Sequence, residues 1–206
     1  MTTEDASATH LVLLPGLDGT DVLFEPLQRH LTMPATAVAY PQDVPGSYAD
    51  LLPFVLDRLP TDREYVLLWD DADSRWNTAS SAASLPDYDP NYFIVNGLAF
   101  PDTGTDPDTR VVGFLGERIL LRNLNAGRLR QAIHFHGYHS EIAARNNVPV
   151  TNMPPKDTWP LPGSSTLDLI LTPNQTGVFP LHPHHVTSVT ANGLYPFGQL
   201  VLQDIQ

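Results

Sequence analysis

The sequence predicts a mixed fold, with a small α/β segment built on a parallel sheet in residues 1–68 and an all-β sandwich in residues 69–206. In the first part, strand-like apolar runs alternate with stretches of helical periodicity. After Trp69 the helical signal largely disappears, and short β-type runs follow one another between turn dipeptides. Twenty prolines among 206 residues, about twice the average share, favour loops and edge strands over long helices.

The N-terminal part is expected to fold as strand, helix, strand, helix, strand. Its predicted strands are His10–Leu14, Thr36–Tyr40 and Glu64–Leu68. Apolar side chains recur at helical spacing from Leu23 to Leu31, and Ser47 is placed to cap a second helix. Three strands joined by helices over fewer than 70 residues indicate a small parallel sheet.

The second part is predicted to be an antiparallel sandwich. Its β-type runs are separated by Pro-Asp, Asn-Gly, Pro-Gly and Pro-Asn dipeptides, which are typical of turns. The predicted strands are Tyr92–Val95, Arg118–Leu124, Ala132–His136, Thr166–Leu171, Gly177–Leu181 and Leu200–Leu202.

The composition argues against two kinds of partner. Lys and Arg number 11 against 23 Asp and Glu, the net charge is −12, and Lys156 is the single lysine. Such a chain lacks the basic surface that binds a phosphate backbone, so no nucleic-acid partner is expected. No apolar run approaches the ~18 residues of a spanning helix, so no membrane partner is expected either.

Cysteine is absent, which excludes disulfides, zinc-thiolate sites, thiol catalysis and a copper site with a thiolate ligand. The first ten residues, Met1 to His10, are polar and acidic. They do not have the pattern of a signal peptide, so the chain as written is expected to be cytoplasmic.

Histidines supply the strongest functional signal. Six of the eight lie in two clusters, and each cluster contains a His-x-His pair on a β-type segment. Side chains at i and i+2 lie on one face of a strand, so each pair directs two imidazoles the same way. Imidazole is a good ligand for copper, zinc, iron or nickel. The pattern predicts a metal site formed by His134, His136, His182 and His184. Two edge strands that carry histidines, or one adventitious zinc site, are the alternatives.

Four other side chains are candidates for a supporting role at this site. His139 and His185 are interpreted as surface residues or as groups behind the ligands. Asp157 and Asp168 have the chemistry to orient an imidazole, although turn and strand-edge roles fit them better.

Residues 10–68 resemble the opening of an α/β-hydrolase. Leu11 to Thr20 (LVLLPGLDGT) is similar to the first core strand and oxyanion loop of that family, and Tyr65–Leu68 is similar to the strand before the nucleophile. In the family Gly-x-Ser-x-Gly should follow at once, but this chain continues with Trp69-Asp70-Asp71 and contains that motif nowhere. The resemblance therefore implies a truncated, inactive hydrolase-like segment.

A second resemblance covers residues 70–206. It rests on an ordered series of stretches: DSRWN (73–77), YFIVNG (92–97), FPDT (100–103), GER (116–118), LRNLNAG (121–127), HFHGYH (134–139), KDT (156–158), TPNQTG (172–177) and PLHPH (180–184). This part resembles the C-terminal cupredoxin domain of a multicopper oxidase. The resemblance implies a Greek-key cupredoxin-like sandwich and copper as the cofactor.

The departures from that family's motifs concern one copper. The mononuclear copper of the resembling oxidases is bound by a histidine, a cysteine, a second histidine and a methionine. The corresponding positions here hold Gln131, Pro183, Ser188 and, near the last one, Gln199. The resemblance therefore implies that His134, His136, His182 and His184 contribute to a type 2 or trinuclear copper centre. A partner cupredoxin domain or a second copy of the chain would complete that centre.

These resemblances together predict an oxidoreductase-type copper domain behind a hydrolase-like remnant, joined as a fusion of two truncated genes or an artificial chain. The isolated chain is expected to bind about one copper weakly and to lack phenol or diamine oxidase activity. Full-length relatives are often exported. Two alternatives remain: a non-enzymatic interaction module, and a serine hydrolase that uses Ser164, Ser165 or Ser188 with His184 or His185 as base.

Overall fold

A computed structural model describes residues 11–14, 21–40, 61–81 and 84–206. The chain divides into two compact units, Met1–Pro60 and Thr61–Gln206. No helix in these described ranges is long and apolar enough to cross a membrane.

In the first unit, strand β1 (Leu11–Leu13) pairs in parallel with β2 (Ala35–Ala37). A 3₁₀ turn (Val22–Phe24) and a one-turn helix, α1 (Glu25–Gln28), lie between them. The helix is much shorter than its apolar periodicity predicts. The second predicted helix, which Ser47 would cap, and the loop at residues 15–20 lie outside the described residues.

The second unit is a sandwich of two sheets. The five-stranded sheet has the order β10-β7-β12-β13-β5, and the six-stranded sheet has the order β4-β3-β6-β11-β8-β9. The strands are β3 (Arg63–Ala72), β4 (Tyr92–Val95), β5 (Val111–Gly113), β6 (Ile119–Asn125), β7 (Gln131–Phe135), β8 (Ser140–Arg145), β9 (Val148–Pro149), β10 (Thr158–Leu161), β11 (Ser165–Leu171), β12 (Gly177–Pro183) and β13 (Val201–Ile205). A cupredoxin-like β-sandwich is thus confirmed, whereas a three-stranded parallel N-terminal sheet is not found among the described residues.

The strand predicted to complete the N-terminal sheet belongs to this sandwich instead. β3 pairs in parallel with β6 and antiparallel with the edge strand β4, so it is the second strand of the six-stranded sheet. Leu67 and Trp69 are fully buried, whereas Val66 and Leu68 are 50% and 38% exposed. A strand with one buried face usually alternates apolar and polar residues. The sequence of β3 does not show this alternation, because its outward positions are also apolar.

The predicted strands of the sandwich are all present, with ends shifted by at most a few residues. The short strands β5, β9 and β10 and the strand β8 were not predicted. The sandwich is also not purely antiparallel, because β5 pairs with β13 in parallel, as β3 does with β6. Between the two strands of each parallel pair, the chain crosses to the opposite sheet and returns.

The core between the sheets contains two fully buried tryptophans. Trp69 Nε1 donates to Asn123 Oδ1 over 2.9 Å, and Trp159 Nε1 donates to Ser140 Oγ over the same distance. Each indole therefore buries its apolar surface without leaving its N–H unpaired.

Candidate metal centre

The two His-x-His pairs lie side by side on the outer face of the five-stranded sheet. On β7, Gln131, Ile133 and Phe135 are buried, so the intervening His134 points to the opposite side. On β12, Leu181 and Pro183 are buried, and His182 alternates with them. The two strands are antiparallel neighbours with His182 directly opposite His134.

The four imidazoles form one cluster. The ring centre of His134 lies 4.8 Å from that of His136, 5.8 Å from that of His182 and 5.1 Å from that of His184. His136 and His182 have ring centres 5.0 Å apart, and their Nε2 atoms are separated by 3.0 Å. The sequence prediction that these side chains share a face therefore agrees with the structure.

Two hydrogen bonds orient the rings from behind. His134 Nδ1 lies 2.8 Å from Thr158 Oγ1, on the neighbouring strand β10. His182 Nδ1 lies 2.8 Å from the carbonyl oxygen of Pro183, which can only accept, so this nitrogen donates. His182 Nε2 then keeps its lone pair, and His136 Nε2 donates to it when both rings are neutral.

The environment favours the neutral rings that bind metals. Burial, followed by the nearby His136, lowers the pKa of His134 below its ordinary value. Burial also lowers the pKa of His182, and the neighbouring imidazoles act in the same direction. His136 and His184 are exposed, so a ligand or a partner surface can reach the cluster.

The donor set fits copper. Two nitrogens 3.0 Å apart subtend about 90° at a metal about 2.0–2.1 Å from each. That is the angle between adjacent positions of a tetragonal copper(II) site with nitrogen ligands. No three His, Asp or Glu side chains within the described ranges form a group that already surrounds one ion. This face therefore presents pairs of ligands rather than a closed site.

The other candidate residues lie apart from this cluster or behave differently. Asp168 lies on the six-stranded sheet, 3.4 Å from Arg122, so it does not orient an imidazole. Asp157 accepts the backbone N–H of Phe135 through its carbonyl oxygen, and its charge raises the pKa of His134 in opposition to burial. His185 Nδ1 lies 3.4 Å from Ser188 Oγ. The sequence did not predict the role of Thr158, because nothing in its local pattern marks it as the partner of His134.

The positions expected to hold the mononuclear copper form a separate, buried group. Ser188 Oγ donates to Gln131 Oε1 over 3.2 Å, and the backbone N–H of Gln199 donates to the carbonyl oxygen of Ser188 over 2.8 Å. Gln131 is 1% exposed, and Ser188 and Gln199 are fully buried. These positions hold amide and hydroxyl groups.

A comparison with known protein families identifies the family of this chain. The family model described as multicopper oxidase matches residues 77–196, more than half of the chain, including all four clustered histidines. The chain belongs to the multicopper oxidase family. Copper is accordingly its cofactor. Among curated proteins, no match to this multicopper oxidase chain is found.

Solved structures agree on the fold. A blue copper oxidase from Nitrosomonas europaea is 23% identical with a TM-score of 0.64, over 85% of this chain and 52% of that one. The multicopper oxidase mgLAC is 20% identical with a TM-score of 0.63, over 84% and 49%. A copper nitrite reductase from Nitrosomonas europaea is 16% identical with a TM-score of 0.56, over 84% and 54%. This multicopper oxidase chain thus spans about half the length of these proteins.

Proposed function

We propose that this domain holds copper through His134, His136, His182 and His184, as its share of a type 2 or trinuclear copper centre. The observation that carries the proposal is the cluster of four imidazoles on one outer face, with two Nε2 atoms 3.0 Å apart. Copper bound there would supply one-electron chemistry coupled to dioxygen reduction. The remaining ligands would come from a partner cupredoxin domain or from a second copy of the chain.

The chain's own residues hold and orient the ligands. Thr158 and the carbonyl oxygen of Pro183 fix the rings of His134 and His182 through their Nδ1 atoms, which leaves the Nε2 atoms for the metal. Because His136 Nε2 donates to His182 Nε2 in the metal-free protein, binding at both atoms requires His136 to move its proton to Nδ1 or release it.

Electrons would reach this centre from another domain. Gln131 and Ser188 are buried at the two positions where a blue copper site has its histidines, and neither supplies an imidazole. The chain also contains no cysteine to supply a thiolate. We therefore expect the isolated chain to show no sustained oxygen uptake with a phenolic substrate.

The hydrolase alternative is not favoured. Ser188 is fully buried and its hydroxyl donates to Gln131. The hydroxyl of Ser165 donates to the carbonyl oxygen of Pro162. Neither is presented to a substrate, and the resemblance of residues 10–68 to an α/β-hydrolase stays a prediction. A non-enzymatic interaction module would show the same fold without specific copper binding.

Copper titration followed by paramagnetic resonance tests the proposal. The wild-type chain should bind copper(II) with a nitrogen-ligand signal, and the double variant His134→Ala/His182→Ala should lose it. His139→Ala is the matched control, because His139 is exposed and outside the four-histidine cluster. Copper binding that survives the double substitution, or that disappears equally in the control, would contradict the proposal.

A further inference from the structure

The sandwich contains the tripeptide Asn-Gly-Leu twice, at residues 96–98 and 192–194. In each copy, backbone hydrogen bonds in both directions join the residues on either side of Asn-Gly and close a tight hairpin turn. The asparagine and the glycine have φ of +52° and +81° in the first turn and of +48° and +79° in the second. Positive φ at both central residues is typical of a type I′ turn. The two turns are therefore matched in sequence and in backbone conformation.

An Asn-Gly sequence can react with itself, because a glycine without a Cβ leaves room for its backbone nitrogen to attack the preceding side chain. A bond forms between this nitrogen and Cγ of the asparagine, and the Cγ–Nδ2 bond breaks with release of ammonia. Water then opens the cyclic imide at either carbonyl, which gives aspartate or isoaspartate. The carboxamide has to turn toward the glycine nitrogen first, so hydrogen bonds that hold it elsewhere slow the reaction.

The first turn holds its asparagine side chain firmly. Asn96 Oδ1 accepts the backbone N–H of Leu68 over 2.7 Å, and Asn96 Nδ2 donates to the carbonyl oxygen of Val66 over 2.9 Å. A longer hydrogen bond joins Nδ2 to the carbonyl oxygen of Asp108. All of these partners are backbone atoms, and Val66 and Leu68 belong to β3. The carboxamide of Asn96 can therefore reach Gly97 only after it separates from β3.

The second turn holds its asparagine side chain weakly. Asn192 is exposed, and among the described residues its side chain has one hydrogen bond, in which Oδ1 accepts from Asn91 Nδ2 over 3.3 Å. Asn91 is engaged elsewhere, because its Nδ2 donates to Ser74 Oγ and its Oδ1 accepts the N–H of Ser74, each over 3.0 Å. Solvent water on such an exposed group exchanges and does not fix it. The carboxamide of Asn192 can therefore turn toward Gly193 once one long contact breaks.

We propose that Asn192 is a site of spontaneous deamidation in the folded protein, whereas Asn96 is protected. The backbone N–H is hydrogen-bonded in both turns, from Asn96 to Leu68 and from Asn192 to Asn91, so the side-chain contacts make the difference. Aspartate at position 192 adds a negative charge to the turn. Isoaspartate also lengthens the main chain by a methylene group, which so short a turn cannot absorb without losing its closing hydrogen bonds.

Peptide mapping by mass spectrometry tests the proposal on the metal-free full chain. The folded protein is kept at mildly alkaline pH, where the glycine nitrogen loses its proton more readily, and is sampled over time. Conversion at Asn192 should be at least about tenfold faster than at Asn96, because two short backbone hydrogen bonds hold Asn96. Equal rates at the two sites, faster conversion at Asn96, or no conversion at Asn192 would overturn the proposal.

The same measurement in urea separates the effect of the fold from that of the sequence. Unfolding removes the hydrogen bonds and leaves two identical Asn-Gly-Leu sequences, so the two rates should become equal. A preference for Asn192 that persists in the unfolded chain would mean that the folded structure does not cause it, and would contradict the protection of Asn96.

Gly193→Ala tests the attacking atom. A Cβ at this position meets nothing within 4 Å in the folded protein, but it hinders the approach of the backbone nitrogen to Asn192. Conversion at Asn192 should slow in this variant, while the rate at Asn96 stays as in the wild type. An unchanged rate at Asn192 would rule out attack by the nitrogen of residue 193 and overturn the mechanism. None of these measurements involves copper, so they stand apart from the four-histidine site.

Discussion

The outer and inner sides of β7 and β12 differ in chemistry although they belong to the same strands. His134 and His182 face outward and are partly exposed. Gln131 and Pro183 face inward and are buried, and Gln131 bonds to Ser188. Because side chains alternate along a strand, the outer histidines and the inner polar residues can change independently. That independence is compatible with the proposal that the chain keeps its His-x-His pairs and lacks the ligands of the mononuclear copper.

The largest expected effect is a loss of folding stability when the packing around Ser188, on the inner side, is disturbed. A Cβ at Gly198 would lie 2.5 Å from Ser188 O, 2.5 Å from Thr190 N and 2.6 Å from Thr190 O. Because all three are backbone atoms, Gly198→Ala should lower the free energy of unfolding by about 3 kcal/mol. Urea unfolding of metal-free protein measures it.

Gly193→Ala is the control for this change. A Cβ there meets nothing within 4 Å, although φ is +79°, so only about 1 kcal/mol of backbone strain is expected. Equal losses in the two variants would show that the contact of Gly198 with Ser188 and Thr190 does not constrain the inner side.

A smaller effect is expected on the outer side from Thr158→Val. The variant keeps the β-branched shape but removes the hydroxyl that contacts His134 Nδ1. Copper(II) should bind about tenfold more weakly, with little change in the urea midpoint. Isothermal titration measures the affinity, and Thr158→Ser should restore it. If the serine and valine variants bind copper alike, the hydroxyl does not orient the ring.

The smallest expected effect concerns the loss of folding stability at acid pH, which we attribute to a carboxylate rather than to the imidazoles. Hydrogen bonds from Arg75 hold the pKa of the buried Asp73 carboxyl well below its ordinary value. Its folded-state pKa is thus lower than its unfolded pKa of about 3.9, so its stabilisation is present above that pH and is lost as the pH falls further.

Asp73→Asn should therefore lower the melting temperature at pH 7 and flatten its decline between about pH 4 and pH 2. Thermal unfolding of the metal-free protein at several pH values measures this. Glu141→Gln, an exposed carboxylate on β8, is the control. An unchanged slope in Asp73→Asn would mean that other groups determine the acid response.

Strand alternation explains which parts of the site could be predicted from the sequence. Each His-x-His pair was placed on one face because the spacing alone determines it. The contact between His134 and Thr158 depends on β10 lying beside β7, a pairing between distant residues that local pattern does not encode. The assignment of Glu64–Leu68 to a parallel N-terminal sheet was wrong for a related reason. The apolar Val66 and Leu68 concealed a strand with one buried face, and the partners of β3 lie in the sandwich.

The edges of the sandwich determine how a second protein can approach it. The strands at the sheet edges are β10, β5, β4 and β9, with four, three, four and two residues. Pro149 and Pro160 also remove backbone donors from two of these edges. Short, proline-bearing edges are poor templates for adding a strand from another chain. A domain that completes the copper centre would therefore dock side chain to side chain on the outer face, where an ion can be held between the two surfaces.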